Sequence, residues 1–413
     1  MPGKQLPEWL DIQPQSGVAG ETEITVSALS SNTEITERTA SFTIIDGDTG
    51  LEYLVIQDGT PGIDTDGADV IVDEDAHEVS VTFTSNTDIS PSIPADWFTA
   101  AVTVSDSTLL ADSVTWSKCR TYTLSLSIEA SDGEARQSEV LLAGEDSPDV
   151  SATVTVSQTG EFTADFTREF LRRSLFVRYT GTWCVNCPTM NQALHNAAEQ
   201  YPGHIVQMNL YQNSDDLTFP GLETYFKHFG ITVLPTAIVN YYAMVAPHFL
   251  DNTAERFISL AEEATGSVPS NTIIGGYASA SGDNITVEVS VASKTAGDYY
   301  ISAFLLEDGI IREQNGGGSG YEHNNVMRAA MTEPFGDPCS LASNSLEHFT
   351  LSMPVPASVV NPDNLHVVVF TSHDGRFTGD LADGYIVYRN YGYVVDNAVD
   401  IPVGRLTLFD YEN

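Results

Sequence analysis

The sequence predicts a multidomain α+β protein, in which two N-terminal β-sandwiches precede an α/β domain and a C-terminal β-sandwich. The first 160 residues alternate apolar and polar side chains over short runs, which is typical of half-buried strands. A middle region then alternates strand and helix patterns, and the last part returns to strands separated by Gly- and Asn-rich turns. The predicted domains are residues 1–60, 61–160, 161–268 and 269–413.

The two N-terminal domains contain an imperfect internal repeat. Both copies have a Trp, an Arg that opens a strand and a Gln that closes one, namely Trp9 and Trp97, Arg38 and Arg136, and Gln57 and Gln158. The first copy has no counterpart of the strands that precede the Trp in the second copy. We therefore expect a partial sandwich at residues 1–60 that is truncated or is completed in another way.

These repeats resemble the BACON domain, an immunoglobulin-like sandwich. Besides the repeated Arg and Gln, the resemblance rests on Asn86 before Trp97 and on the turn at Ser16 and Gly17. It implies that both N-terminal domains are immunoglobulin-like β-sandwiches that bind glycan or act as spacers. We expect Trp9 and Trp97 to be core residues rather than exposed platforms for sugar.

The charge balance excludes two classes of partner. The chain of 413 residues has 17 Lys and Arg against 57 Asp and Glu, a net charge of −40. Such a chain repels nucleic acid and anionic membrane surfaces. No apolar run approaches the length of a transmembrane helix, about 20 residues. Membrane attachment is therefore expected only through a lipid anchor on a segment that has been removed.

The predicted α/β domain contains a compact apolar strand, "SLFVRYT", followed by an amphipathic helix. Met190, Leu194, Ala197 and Tyr201 recur at helical spacing and should share one face, and Gly203 should end the helix. Two further strands and two further helices follow. This order is typical of a βαβ unit with a parallel pair of strands.

Cys184 and Cys187 lie between this strand and this helix, in "GTWCVNCP". A zinc site needs further ligands at matching spacing, and none accompanies the pair. A redox pair fits the context, because the exposed amino terminus of a helix stabilises a thiolate. A structural disulfide with no exchange activity remains the alternative. The other two cysteines, Cys119 and Cys339, are expected to be buried thiols.

Here the chain resembles thioredoxin-fold proteins. Trp183, Cys184, Cys187 and Pro188 match the family's motif, and Pro235 matches its cis-proline. The resemblance implies a thioredoxin-like α/β domain in which Cys184 attacks, Cys187 resolves, Pro235 aligns the partner chain and Trp183 shields the site. It also implies protein thiols or disulfides as partners. Where thioredoxins carry a buried Asp, this chain has Arg178, which either favours the thiolate or points outward.

A second resemblance links this region to the C-terminal domain. Together with the cysteine motif, the stretch "LLEDGIIREQNGGGSGYEHNNVMRA" is similar to the Bacteroidetes outer-membrane-protein-28-related family. The matching C-terminal residues are Glu307, Asp308, Gly309, Tyr321, His323, Asn324, Asn325 and Arg328. The family joins a thioredoxin-like domain to a C-terminal β-sandwich, and its members are often lipoproteins.

Two further stretches are candidate sites. The stretch "YEHNNVMR" contains His323, which we expect to satisfy turn backbone rather than to act in catalysis. The acidic loop of residues 64–75 weakly resembles a calcium loop but does not match the EF-hand pattern. We expect no cofactor beyond this weak calcium candidate, which consists of Asp64, Asp66, Asp69 and Asp73.

Two hypotheses for the function follow. The first is an exported envelope protein, an outer-membrane lipoprotein facing the periplasm or the cell surface, with thiol–disulfide oxidoreductase activity on proteins. The second is a surface adhesin or glycan- or protein-binding lipoprotein in which the cysteines only staple the fold. No nucleophile-elbow motif supports a serine hydrolase.

Overall fold

The structure is a computed structural model of the chain. It describes residues 6–17, 21–47, 49–105, 108–110, 117–212, 217–245, 253–267, 270–375, 386–388 and 390–412. The chain divides into two compact units, Met1–Gln158 and Thr159–Asn413. The residue boundaries predicted for four domains stay a prediction. No described helix is long and apolar enough to cross a membrane.

The first unit consists of twelve strands in its described residues. The first copy of the repeat contains β1 (Leu10–Gln13), β2 (Thr25–Ala28), β3 (Arg38–Asp46) and β4 (Thr49–Gln57). The second copy contains β5 (Ile63–Asp64), β6 (Val70–Val72), β7 (His77–Ser85), β8 (Ile89–Ser92), β9 (Phe98–Val104), β10 (Arg120–Ile128), β11 (Arg136–Gly144) and β12 (Ser151–Gln158).

The second copy is a sandwich of two four-stranded sheets, ordered β5-β7-β10-β9 and β6-β12-β11-β8. Every second residue of its central strands points inward, as the alternating sequence predicts. The enclosed core includes Leu124, Leu126, Val140 and Val154, each with no exposed surface. In the first copy, by contrast, β1 pairs only with β2 and β3 only with β4 among the described strands.

The second unit contains the three described α-helices, α1 (Cys187–Gln200), α2 (Leu222–Phe229) and α3 (Ala254–Ser267), and a 3-10 helix (Pro362–Asn364). Its strands up to the middle of the unit are β13 (Ser174–Thr180), β14 (Ile205–Tyr211), β15 (Thr236–Val239), β16 (Ala243–Val245), β17 (Thr272–Ser281), β18 (Asn284–Ser293), β19 (Gly297–Glu307) and β20 (Ile310–Gln314). The remaining strands are β21 (Gly318–His323), β22 (Val326–Ala330), β23 (Asp337–Leu341), β24 (Ser345–Pro354), β25 (Leu365–Asp374), β26 (Ile386–Tyr388), β27 (Tyr393–Pro402) and β28 (Leu406–Thr407).

The predicted fold class, with a separate thioredoxin-like α/β domain at residues 161–268, is wrong. The described residues are mostly β, with 52% in strands and 10% in helices. Strands from both sides of residue 268 form one ten-stranded mixed sheet, in the order β26-β16-β15-β13-β14-β22-β19-β25-β27, with β23 also paired to β19. One join is a parallel contact between Asn209 of β14 and Val326 of β22, and another is the antiparallel pairing of β16 with β26. The helical region therefore shares its sheet with the C-terminal strands.

Two layers cover this sheet. A smaller sheet, β24-β18-β17-β28, packs on its C-terminal half around a core that includes Val287, Val289 and Val367. The helices cover the other half. Met190, Leu194 and Ala197 of α1 are buried, as their helical spacing predicts. This packing fixes the end of β13, where the two cysteines follow.

Candidate functional site

The predicted cysteine pair forms a disulfide just after β13. The sulfur atoms of Cys184 and Cys187 are 2.06 Å apart and their Cα atoms 5.4 Å apart. Because α1 begins at Cys187, Cys184 lies in the turn before the helix. The amide of Cys187 donates to the carbonyl of Cys184 over 3.2 Å, and the amide of Cys184 donates to the carbonyl of Gly181 over 3.1 Å. These bonds hold the turn in a compact form.

Both cysteines are buried. The exposed fraction is 5% for Cys184 and 2% for Cys187. The expectation of a cysteine at an exposed helix tip is therefore wrong. Disulfide exchange requires a thiolate to reach one of the two sulfur atoms. In the conformation described here, little of either side chain is open to such an attack.

A hairpin from the C-terminal half of the unit covers this turn. It is formed by β20 and β21, whose strands pair antiparallel. The side-chain amide of Gln314 donates to the carbonyl of Cys184 over 2.9 Å and to that of Gly181 over 3.3 Å. The backbone amide of Asn315 donates to the carbonyl of Thr182 over 2.8 Å. The hairpin and the cysteine turn are thus joined by hydrogen bonds to backbone carbonyls.

The glycine-rich tip of the hairpin lies close against the same turn. The side-chain amide of Asn315 donates to the carbonyl of Trp183 over 3.1 Å. Gly316 has φ +83°, and a Cβ atom there would lie 2.5 Å from the carbonyl oxygen of Val185. The glycine-rich stretch that contains Asn315 and Gly316 indicates a turn in the sequence. Nothing in that stretch indicates a contact with the cysteines. The only signal of this contact in the sequence is a glycine, a residue that allows two backbone segments to approach closely.

The outer side of the cysteine turn is apolar and exposed. Trp183 is 51% exposed and Val185 is 55% exposed. Pro235 has the predicted cis bond to Leu234. It lies at the same end of the sheet as the cysteine turn, because Thr236 pairs with Tyr179 in the antiparallel register of β15 and β13. The structure thus places the predicted site residues Trp183 and Pro235 at one edge with the disulfide.

Arg178 points into the protein rather than outward. Its side chain is 2% exposed, and its Nε donates to Oδ1 of Asn209 over 2.9 Å. Burial lowers the pKa of its guanidinium, while a hydrogen bond with Tyr211 opposes that shift. The guanidinium therefore belongs to a buried polar network between β13 and β14.

This network continues into the motif "YEHNNVMR". The hydroxyl of Tyr211 and Nδ1 of His323 are 2.7 Å apart, and both residues are buried. Asn209 donates its side-chain amide to the carbonyl of Asn324 over 2.5 Å. Asn191 of α1 donates to the hydroxyl of Tyr321. The motif therefore connects the hairpin to β14 and to the helix that carries Cys187.

The acidic start of the C-terminal motif forms a second buried network. Oε2 of Glu307 lies 3.2 Å from Nε of Arg328, with 0% and 2% of the two side chains exposed. Oε1 of Glu307 accepts hydrogen bonds from the amides of Val360 and Asn361, over 2.8 and 2.6 Å. The paired cation and the two backbone donors compensate the carboxylate for its loss of solvent.

Next to it, Asp308 and Asp400 flank a buried histidine. Nδ1 of His366 is 2.7 Å from Oδ1 of Asp400, and Nε2 is 3.4 Å from Oδ1 of Asp308. Burial disfavours the charged imidazolium, but the two carboxylates outweigh burial and raise the pKa of His366 to about 10. Burial also opposes ionisation of Asp308, yet the hydrogen bond from His366 lowers the pKa of that carboxyl.

The calcium candidates bond to separate parts of the first unit. Oδ1 of Asp64 accepts from the amide of Asp66 over 3.0 Å, and Oδ1 of Asp69 accepts from that of Thr155 over 3.1 Å. Asp73 lies 2.6 Å from a ring nitrogen of His77. In the described part of the chain, no three His, Cys, Asp or Glu side chains lie close enough to hold a metal ion. The four aspartates do not fit a calcium site.

The remaining two cysteines are free thiols of intermediate exposure. Burial raises the pKa of Cys119, and it raises that of Cys339 to about 11. A raised pKa keeps a thiol protonated at neutral pH and therefore unreactive. Neither residue extends the candidate site.

The fold and site define a strand-rich protein whose buried disulfide is covered by a distant hairpin. Residues 222–378 match the model of the family described as outer membrane protein Omp28. The matched segment includes the covering hairpin but not the two cysteines. This match confirms the outer-membrane-protein resemblance for that segment and points to the outer membrane or cell envelope. No curated protein matches the chain.

The solved structures that are similar to the chain include the following two. HBP35 of Porphyromonas gingivalis is 16% identical with a TM-score of 0.47, and the match covers 60% of this chain and 80% of that one. A protein of Agrobacterium tumefaciens is 14% identical with a TM-score of 0.34, covering 58% of this chain and 97% of that one.

Proposed function

We propose that the chain is a cell-envelope protein that acts by binding, and that its disulfide is a structural staple with no exchange activity. The location rests on the family match over residues 222–378. The proposed partner is a protein or a glycan at the cell surface or in the periplasm, and the proposed membrane attachment is a lipid anchor.

The observation that carries this proposal is the burial of both cysteine side chains in a turn to which the hairpin is hydrogen-bonded. Gln314, which is itself 3% exposed, bonds to the carbonyls on either side of Trp183. An attacking thiolate would find little of either cysteine side chain exposed, at 5% for Cys184 and 2% for Cys187. A disulfide that closes so short a loop removes little chain entropy, about 2 kcal/mol. Its proposed role is therefore local: it fixes the turn on which the hairpin rests.

A turnover assay tests the proposal. The full chain is mixed with insulin and a dithiol reductant, and precipitation of reduced insulin is followed by turbidity. The result expected is a rate equal to that of the double variant Cys184→Ser/Cys187→Ser. A rate several times that of the variant would contradict the structural role. Binding to an array of glycans and extracellular proteins should be the same for both chains.

One set of observations favours thiol–disulfide exchange as a second candidate. Trp183 and Val185 present exposed apolar surface beside the disulfide, and Pro235 lies at the same edge. In this scheme a thiolate of a partner dithiol attacks the sulfur of Cys184, and Cys187 leaves as a thiolate. The partner's second thiolate then displaces Cys184. The partner ends as a disulfide, and both cysteines end reduced.

The two candidates differ in the acidity of Cys184 after reduction. Exchange requires a thiolate, so the pH profile of its alkylation should give a pKa below the ordinary value of about 8.5. The structural role predicts a pKa at or above that value, because burial disfavours the charged form. Alkylation of Cys184 and Cys187 in the reduced full chain, resolved by peptide mass spectrometry, separates them.

A further inference from the structure

The hairpin that covers the cysteine turn has an Asn-Gly pair at its tip, Asn315 and Gly316. This is the one place in the chain where an Asn precedes a Gly. The backbone nitrogen of the residue after an Asn can attack the side-chain amide of that Asn. A Gly in the following position favours the attack, because it has no side chain to block the approach. Asn315 is therefore the asparagine that the sequence makes most reactive toward its own backbone.

The pair occupies the centre of a tight turn. The amide of Gly317 donates to the carbonyl of Gln314 over 2.8 Å, so Asn315 and Gly316 are the second and third residues of a four-residue turn. Gly316 has φ +83°. The third residue of a type II turn has a φ of about +80°. Asn315 and Gly316 are both exposed, so water reaches the pair.

The side chain of Asn315 is also part of the contact between the hairpin and the cysteine turn. Its Nδ2 donates to the carbonyl of Trp183 over 3.1 Å, and its backbone amide donates to the carbonyl of Thr182 over 2.8 Å. These two bonds restrict the side chain and should slow its reaction with the next amide. They also mean that a chemical change in this side chain changes the contact itself.

We propose that Asn315 is a site of spontaneous deamidation, and that the reaction releases the hairpin tip from the cysteine turn. The backbone nitrogen of Gly316 loses its proton and attacks Cγ of Asn315. Nδ2 takes up a proton and leaves as ammonia, and the product is a cyclic imide. Water then opens one of the two imide carbonyls to give aspartate or isoaspartate, and no atom is oxidised or reduced.

Either product removes the contact. Aspartate has a carboxylate oxygen in place of Nδ2, so the donor to the Trp183 carbonyl is replaced by an acceptor. Isoaspartate adds a methylene group to the backbone just before Gly316. The tip has no room for such a shift, because even a Cβ atom on Gly316 would lie 2.5 Å from the carbonyl oxygen of Val185. The tip must therefore move away from the cysteine turn.

This modification does not depend on the role of the disulfide. Its reactants are Asn315, Gly316 and water, so the reaction proceeds in the same way whether the cysteines exchange or only fix the turn. Its effect is irreversible and accumulates with the age of the protein. An aged sample of the protein should therefore contain chains in which the tip of the β20–β21 hairpin is detached.

The first part of the test detects the reaction. The full chain is kept for days in mildly alkaline buffer, with and without denaturant, and peptide mass spectrometry measures deamidation at each asparagine. Asn315 should react several times faster than Asn344, an exposed asparagine that precedes Ser345. Its rate should be several times lower in the native chain than in denaturant, because two hydrogen bonds hold it. No reaction at Asn315 in the native chain, or equal rates in the two states, would overturn the proposal.

The second part measures release of the hairpin. Asn315→Asp has the side chain of one product, and hydrogen–deuterium exchange over residues 310–323 should be about fivefold faster than in the wild-type chain, the effect of losing one hydrogen bond. The matched control is Ser319→Asp, which adds the same charge at an exposed position of β21 and should exchange as the wild-type chain does. Unchanged exchange in Asn315→Asp would show that this side chain does not hold the hairpin. If that variant does not fold, as judged by circular dichroism, deamidated wild-type chain isolated by anion exchange takes its place.

Discussion

The side-chain amide of Gln314 lies 2.9 Å from the backbone carbonyl of Cys184, although the two residues are 130 positions apart. This hydrogen bond joins the covering hairpin to the cysteine turn, both of which lie in the second unit. Because Gln314 also bonds to Gly181, one buried side chain satisfies two carbonyls of the turn. The stability of the turn should therefore depend on a residue far from it in the sequence.

Gln314→Ala should destabilise the chain by about 1–3 kcal/mol, because it removes two buried hydrogen bonds between the hairpin and the cysteine turn. It should also speed the reduction of the disulfide, since the hairpin is then held less firmly. The control is Glu313→Ala, an exposed residue on the same strand. Urea unfolding followed by circular dichroism gives the free energies of unfolding. Equal values for the two variants would contradict the role given to Gln314.

Gly316→Ala should destabilise the chain by about 1–3 kcal/mol, the usual cost of a strained backbone position. Two effects contribute, since φ is +83° and the new Cβ would lie 2.5 Å from the Val185 carbonyl oxygen. Gly318→Ala separates them, because Gly318 has φ +93° with nothing within 4 Å of its Cβ position. The Gly316 variant should be the less stable of the two by urea unfolding. The opposite order would mean that the hairpin tip does not rest on the cysteine turn.

The double variant Cys184→Ser/Cys187→Ser should remain folded and lose about 2 kcal/mol of unfolding free energy, the value expected for a short loop. The control is the wild-type chain that has been unfolded, reduced and then refolded. Its unfolding free energy should fall by the same amount. A variant that does not fold would show that the disulfide does more than fix a local turn.

Stability should fall as the pH rises toward 10, because of His366. Its pKa is about 10 in the folded chain, above the value of about 6.5 for a histidine in an unfolded chain. The folded state therefore holds the proton more tightly. The resulting stabilisation is fully present below about pH 6.5 and is lost as the pH rises through 10.

His366→Gln should remove that part of the pH dependence. Thermal melts between pH 6 and 10 measure it, and His195→Gln is the control, because 57% of the His195 side chain is exposed. A wild-type chain whose stability does not change over this range, or an unchanged slope in the His366 variant, would contradict the buried charged histidine.

Local features of the site could be predicted from the sequence, and distant ones could not. The disulfide and the helix that starts at Cys187 follow from one short stretch, and the cis bond before Pro235 follows from the resemblance to thioredoxin-fold proteins. Gln314 and Asn315 act across more than a hundred residues, and a glycine-rich stretch indicates only a turn. The sequence also did not show that the side chain of Arg178 points into the protein, because its partner Asn209 lies on another strand.

The wrong fold class has a similar cause. Periodicity identifies strands but does not say which strands pair. The sheet joins β14 to β22 through Asn209 and Val326, and the alternation within either strand does not indicate this pairing. The repeat in the first unit was predictable because Trp, Arg and Gln recur as landmarks.

The most direct test of the structural disulfide is its accessibility to reductant in the native full chain. The protein is incubated with a small thiol reductant, alkylated and digested, and the modification of Cys184 and Cys187 is quantified by mass spectrometry. If the disulfide is structural and buried, both cysteines should stay unmodified in the native chain and become fully modified in denaturant. Rapid and complete modification under native conditions would contradict it.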